Sequence, residues 1–251
     1  MTPAAPRRYR ATVAYDGTGY QGFQRQAPGT PTIQGAIEAA LRRVAGQDIT
    51  IMGAGRTDTG VHATGQVIAW DMAWRHATDD LLRAVNANLP CDIALQALEE
   101  TRADFHPRFD AQSRTYQYDI DNAPVRHPLY IRTAWHVSRP LDGPAMQAAA
   151  QHLLGEHDFA AFGRPPQGEN TVRTVIRAAW AHDGRTLRFT IEANAFLQRM
   201  VRSLVGTMVE VGAGSISPVT FADILASADR ARAAAPAPPH GLCLVSVHYL
   251  E

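Results

Sequence analysis

At 251 residues, 45% hydrophobic and 19% charged, the chain has the size and balance of one large or two small soluble domains, long enough to bury real cores. Acidic and basic residues cancel to a formal net charge of +0, so overall charge neither selects nor excludes a nucleic-acid partner. The opening MTPAAPRRYR has no apolar signal region, no run approaches membrane-spanning length, and Cys91 and Cys243 have no CxxC companion. These features argue against a signal peptide, a membrane span, a disulfide framework and a Cys-based zinc site, and a cytoplasmic protein is expected.

The apolar pattern predicts elements in an order that occurs twice. RYRATVAYDG reads as a strand ending in a turn. TIQGAIEAALRRVAG reads as a helix, with Ile33, Ile37, Ala40, Leu41 and Val44 on one face and Gly46 as its stop. ITIMGAG and GQVIAWDM read as strands flanking a glycine-rich loop. ATDDLLRAVNANLP reads as a helix with Thr78 as N-cap and Asp79 and Asp80 in its first turn, and DIALQALEE as a closing strand.

The second half repeats the order with longer connections. SRTYQYDIDN alternates as a strand, DGPAMQAAAQHLLG is helical, and TVIRAAWAHDGRTLRFTIEA is a hairpin turning at Asp183-Gly184. AFLQRMVRSLVGTMVEVG reads as an apolar helix close to the core, followed by a short helix near VTFADILASA and a last strand LCLVSVHYL. The expected fold is therefore α+β: two ferredoxin-like β-α-β-β-α-β halves, residues 1–106 and 107–251. Their antiparallel sheets are expected to join into one extended sheet, with a cleft between the halves. The Pro- and Gly-rich stretches GRPPQGENT and RARAAAPAPPHG read as loose surface loops.

The chemistry concentrates in GAGRTDTGVHATGQ. Glycines make a tight turn there, and local physics favours Asp58 as a turn-capping carboxylate. A dinucleotide fingerprint fails because glycine is needed where Asp58 stands, and a P-loop fails for want of Gly-Lys-Ser/Thr. Asp58-Thr59-Gly60 matches half of an aspartic-protease site, which needs two such motifs or a symmetric dimer. YDGTGY has the residues in another order and the helix-rich pattern is wrong for an all-β protease, so only a dimer of single sites stays open as a rival. The adjacent His157 and Asp158 lack companions at metal-ligand spacing, so a turn is expected there and no metal. His62, His106 and His136 read as structural or RNA-facing. All 24 basic residues are arginine, a side chain that forks onto phosphate and stacks on bases, though codon bias explains the count simply.

GRTDTGVHA is similar to the active-site signature of the tRNA pseudouridine synthase A family. YDGTGYQGFQRQ, NANLPCDI, FHPRFDAQSRTYQYDI, LLGEHDFAAF, VRTV, NAFLQRMVRSLVGTMVEVG and GLCLVSVHY follow the family's order and spacing, so the chain resembles it over nearly its whole length. The resemblance implies isomerisation of uridine to pseudouridine at positions 38, 39 or 40 of the tRNA anticodon stem-loop. It further implies a homodimer with tRNA across both subunits, and no cofactor.

By that resemblance Asp58 is the nucleophile, attacking uracil C6 or ribose C1′. Arg202 is the cation that holds the carboxylate charged, Arg199 being a second candidate three residues earlier on the same helix face. Arg56 stabilises an extruded base, Tyr116 stacks on it and assists proton removal from C5, and Leu242 or Leu244 lines the uracil pocket. Read without the resemblance, Arg202 is an arginine reaching for solvent and Tyr116 a core aromatic. Phe23 stands where many relatives carry Trp, Gln198-Arg199 replaces more usual residues, and DRARAAAPAPPHG is a looser version of an Ala-Gly-rich segment. Arg7, Arg8, Arg164 and Arg173 are candidate phosphate contacts.

Overall fold

Alternate residues of β1 (Arg7–Tyr15) are buried in the computed structural model, which describes residues 5–165 and 167–250. Residues 1–4 of the opening stretch, Pro166 of GRPPQGENT and Glu251 lie outside the described residues. The chain is α+β and divides into two compact units, residues 1–112 with 244–251, and residues 113–243.

In the first unit, β1 lies between β4 (Ile93–Glu100) and β3 (His62–Met72), all antiparallel, and β2 (Met52–Gly53) pairs with β3. The part of β10 (Leu242–Tyr249) that belongs to this unit also lies beside β3. The two-residue β2 is much shorter than the strand predicted over ITIMGAG. Tyr9 and Trp70, both fully buried, stack across β1 and β3 with ring centroids 6.0 Å apart.

Helix α1 (Ile33–Ala45) begins where Thr32 Oγ1 accepts the Gly35 amide, and it stops at Gly46, which takes the left-handed φ of 70°. Its apolar face is the predicted one, with Ile33, Ile37, Ala40 and Leu41 buried. Helix α2 (Thr78–Asn86) corrects one expectation. Thr78 is already helical and Ala77 is the N-cap, with no side-chain capping bond. The entry is fixed instead by the Trp74 indole N–H, which donates to the Ala77 carbonyl at 3.0 Å.

In the second unit the strand order is β5 (Ala111–Asp121), β9 (Thr186–Ala193), β8 (Val172–Asp183), β7 (Gly155–Asp158), antiparallel along that path. A short β6 (Trp135–His136) runs parallel to the end of β5. The predicted turn at His157-Asp158 is strand β7: four residues are too few to show a period, and pairing with Val172–Val175 decides their conformation. The hairpin turns one residue later than predicted, at Gly184-Arg185, because Asp183 still pairs with Thr186.

Helix α3 (Gly143–Gln151) is capped by Asp142, whose carboxylate accepts the Ala145 amide at 2.9 Å. It packs on β8, on α4 (Met200–Gly212) and on α5 (Pro218–Ser227). Helix α4 is as apolar as expected: of its thirteen residues only Arg202 and Glu210 escape burial. It starts five residues later than predicted, however. Arg199 adopts φ 63°, and the Gln198 amide donates to the Arg164 carbonyl at 2.9 Å, so residues 195–199 form an approach segment. Arg199 is thus the N-cap and does not share a helix face with Arg202.

RARAAAPAPPHG is not a loose loop either. The Ala234 amide donates to Thr207 Oγ1 at 3.1 Å and the Ala237 amide to the Arg202 carbonyl at 2.9 Å, with Ala237 1% exposed. Small residues let this strap lie directly on α4, where Ala235 meets Gly206.

At the far end of β5, Asp121 is 2% exposed and accepts both edges of the Arg185 guanidinium, at 2.5 and 2.8 Å. That hydrogen bonding holds the Asp121 carboxyl below its ordinary range against the opposing effect of burial. A carboxyl lowered by folding stabilises the native state above its unfolded pKa, and the contribution is lost as pH falls through the folded value. Asp121→Asn is therefore expected to cost about 1–3 kcal/mol near neutral pH, with the deficit shrinking below about pH 4. Thermal melts across that range check it; a deficit unchanged at low pH would exclude the ionic account.

Candidate active site

The loop 54–61 of the first unit is held by main-chain bonds together with bonds from side chains in and around it. The Ala54 amide donates to Val67 O at 2.8 Å, the last main-chain tie to β3 before the loop departs. Gly55 is then gripped by the side chain of Gln66: its amide donates to Oε1 at 3.3 Å, and Nε2 donates to its carbonyl at 2.9 Å. Arg56, next in line, is exposed. Thr57 is buried, its hydroxyl 2.9 Å from the Tyr15 hydroxyl and its carbonyl accepting the Phe23 amide at 3.1 Å. Asp58 is half-buried, and its carbonyl accepts the Val61 amide at 3.1 Å, closing the turn.

The segment YDGTGYQGF forms the other side of this clamp. Gly17 and Gly22 are required there by close approach. A Cβ on Gly17 would collide with the Val61 carbonyl, and one on Gly22 would lie 2.8 Å from the Thr57 carbonyl, where Gly22 also holds φ 89°. The Gly17 amide donates to His62 Nδ1 at 3.0 Å, which makes His62 a buried structural residue. The first unit thus brings Arg56 and Asp58 together on one braced loop and buries Leu244 completely on β10.

Tyr116, Arg202 and Leu242 belong to the second unit. Tyr116, 8% exposed on β5, meets the Phe196 ring edge-on with centroids 5.0 Å apart. Phe196 lies in the approach segment to α4, so the late start of that helix is what places an aromatic ring against Tyr116. Arg202 sits in the first turn of α4, and its Nε donates to the Ala237 carbonyl at 2.7 Å. With the Ala237 amide returning to the Arg202 carbonyl, the strap and the arginine are tied in both directions. The neighbouring Tyr118 donates to the Pro238 carbonyl at 2.8 Å; burial pushes its phenol far up, with Arg202 opposing. Arg202 is therefore anchored along its stem and not simply directed at solvent. Leu242 is buried at 6% exposure.

Three of the other candidate arginines have protein partners. Arg8 forks onto Asp71 at 2.7 and 2.6 Å and also donates to the Phe105 carbonyl, and Arg7 forms an exposed ion pair with Glu100. Arg173 donates to the carbonyls of Asn170 and Val172. Among the described residues no group of three or more His, Cys, Asp or Glu side chains is placed to hold a metal ion, and no helix is long and apolar enough to cross a membrane.

The sequence model of the tRNA pseudouridine synthase family matches residues 11–110 and 149–250. Proteins called tRNA pseudouridine synthase A are 47% identical in Brevibacillus brevis, over 97% of this chain and 100% of that protein, and 42% identical in Geotalea uraniireducens at the same coverages. The Neisseria meningitidis serogroup C protein of that name is 40% identical over 100% of this chain and 95% of its own. The chain belongs to the tRNA pseudouridine synthase family. As a tRNA pseudouridine synthase it is an isomerase, from the family that converts uridine to pseudouridine in tRNA. The matched stretches contain the braced Asp58 loop and the Arg202 helix with its strap, while Tyr116 falls between them. Tyr15, Thr57 and Gln66, which hold the loop of this synthase in place, lie inside the quoted motifs, but no role for them was read from the sequence.

Proposed function

We propose that this synthase acts on positions 38, 39 or 40 of the tRNA anticodon stem-loop, with Asp58 as the nucleophile toward an extruded uridine. The observation that carries the reading is the construction of the loop: the main chain of Gly55, Thr57 and Asp58 is tied to Gln66, Phe23 and Val61, the Thr57 hydroxyl to Tyr15, and Asp58 stands half-buried at the turn. A nucleophile must be held in a near-attack geometry, which a braced backbone supplies and a mobile loop does not.

The reaction balances without an external reagent. The carboxylate adds to uracil C6 or displaces the base at C1′, the N1–C1′ bond breaks, and the uracil rotates. A C5–C1′ bond then forms, C5 loses its proton, N1 gains one, and the carboxylate leaves unchanged. Nothing is oxidised or reduced and no water is consumed. Arg56, exposed beside Asp58, takes the space vacated by the base and binds phosphate. Tyr116 stacks on the uracil and assists loss of the C5 proton, Arg202 keeps the carboxylate ionised, and Leu242 or Leu244 lines the base pocket. The working unit is a homodimer that holds one tRNA across both subunits.

Because the C5 hydrogen is lost, tRNA tritiated at uridine C5 reports the reaction directly. The protein is expected to release tritium, with the product mapped to positions 38–40. Binding of tRNA with no release would leave an RNA-binding module that keeps only the fold, and release mapped elsewhere would overturn the stem-loop assignment.

A further inference from the structure

We propose that Gln66 is the positioning residue that sets the course of the Asp58 loop, an inference that rests on the reading of Asp58 as nucleophile. The pairing of β2 with β3 places Met52 opposite Ala69 and Gly53 opposite Ile68, and the Ala54 amide continues the ladder onto Val67. The next residue in that register is Gly55 opposite Gln66. In the alternation of an antiparallel ladder the main chain of Gln66 faces β1, where Gln66 pairs with Val13, and the two bonds to Gly55 come from the Gln66 side chain.

A side-chain amide offers one donor and one acceptor in the same plane, as a peptide does, so it can complete both bonds to Gly55 while holding that backbone a side chain's length from β3. The loop is thereby released from the sheet at the residue before Arg56, yet kept in a single orientation. Gln66 is 0% exposed, so its own amide has no solvent to bond in place of Gly55. Other side-chain classes fail in distinguishable ways. Leucine would remove both protein partners of Gly55 and with them the fixed orientation of its peptide groups. Glutamate would still accept the N–H but would press a carboxylate against the carbonyl, unless it carries a proton and can donate.

The Glu form gives a signature that loss of stability alone would not give. A buried carboxyl has a raised pKa, so Gln66→Glu regains the missing donor as pH falls. Turnover on tRNA, measured well below each variant's melting temperature, is expected to drop about 10- to 100-fold in kcat for Gln66→Leu with KM nearly unchanged. For Gln66→Glu, kcat as a fraction of wild type should be low near about pH 8.5 and climb toward one near about pH 6. Wild-type kcat in folded Gln66→Leu, or a Gln66→Glu ratio flat with pH, would overturn the assignment. Should Gln66→Leu not fold, the pH dependence of Gln66→Glu decides alone. Full turnover by Asp58→Asn would instead remove the nucleophile reading, whatever the Gln66 variants do.

Discussion

Asp58→Asn is expected to reduce tritium release from tRNA by about 10⁴-fold or more, because the amide keeps the shape of the carboxylate and loses its nucleophilicity. Its stability should change little. Asparagine matches aspartate in size, and the main-chain ties of Gly55, Thr57 and Asp58 and the Thr57 hydroxyl bond are kept by the substitution. Melting temperature is expected to stay within about 2 °C of wild type, the range for a substitution that removes no packing. Affinity for tRNA should also survive, since the guanidinium of Arg56 is untouched. A variant that folds and binds but does not turn over separates chemistry from recognition. Appreciable release by Asp58→Asn would show that another group forms the bond.

The parts of this molecule that were legible in its sequence are those governed by local rules. Helix α1 shows its apolar face through spacing and its end through Gly46, because a 3.6-residue period and a left-handed cap leave marks in adjacent residues. The turn that holds Arg56 and Asp58 is likewise contiguous, although local rules read Asp58 only as a turn cap and its catalytic role came from the family resemblance. What stayed hidden is decided by partners distant in sequence. The ITIMGAG run looks like a strand, yet its strand is only Met52–Gly53, and at Gly55 the partner is the side chain of Gln66, a residue eleven positions away. The residues before α4 look helical, and they are diverted by Arg199 and by the Arg164 carbonyl. Alanine and proline in RARAAAPAPPHG resemble a flexible linker by composition. They are small for a packing reason, which appears only when Ala237 is seen tied to Arg202.

The two arginines proposed for the reaction should fail in different ways. Arg202→Met is expected to lower kcat by about 10²- to 10³-fold with KM little changed, as expected for a group that stabilises charge at the reacting centre. A stability loss of about 1 kcal/mol should accompany it, because the bond from Nε to the Ala237 carbonyl disappears while the return bond from the Ala237 amide remains. Arg202→Lys keeps the charge on a stem that cannot reproduce the Nε geometry, so only part of the activity should return. Arg56→Ala should instead raise KM, and the slope of log affinity against log salt should become shallower by about one, the sign of one lost phosphate contact. Steady-state kinetics on tRNA at several salt concentrations reads both outcomes in one experiment. If Arg202→Met shifted KM and the salt slope while sparing kcat, Arg202 would be a phosphate ligand, and the cation beside Asp58 would have to come from elsewhere.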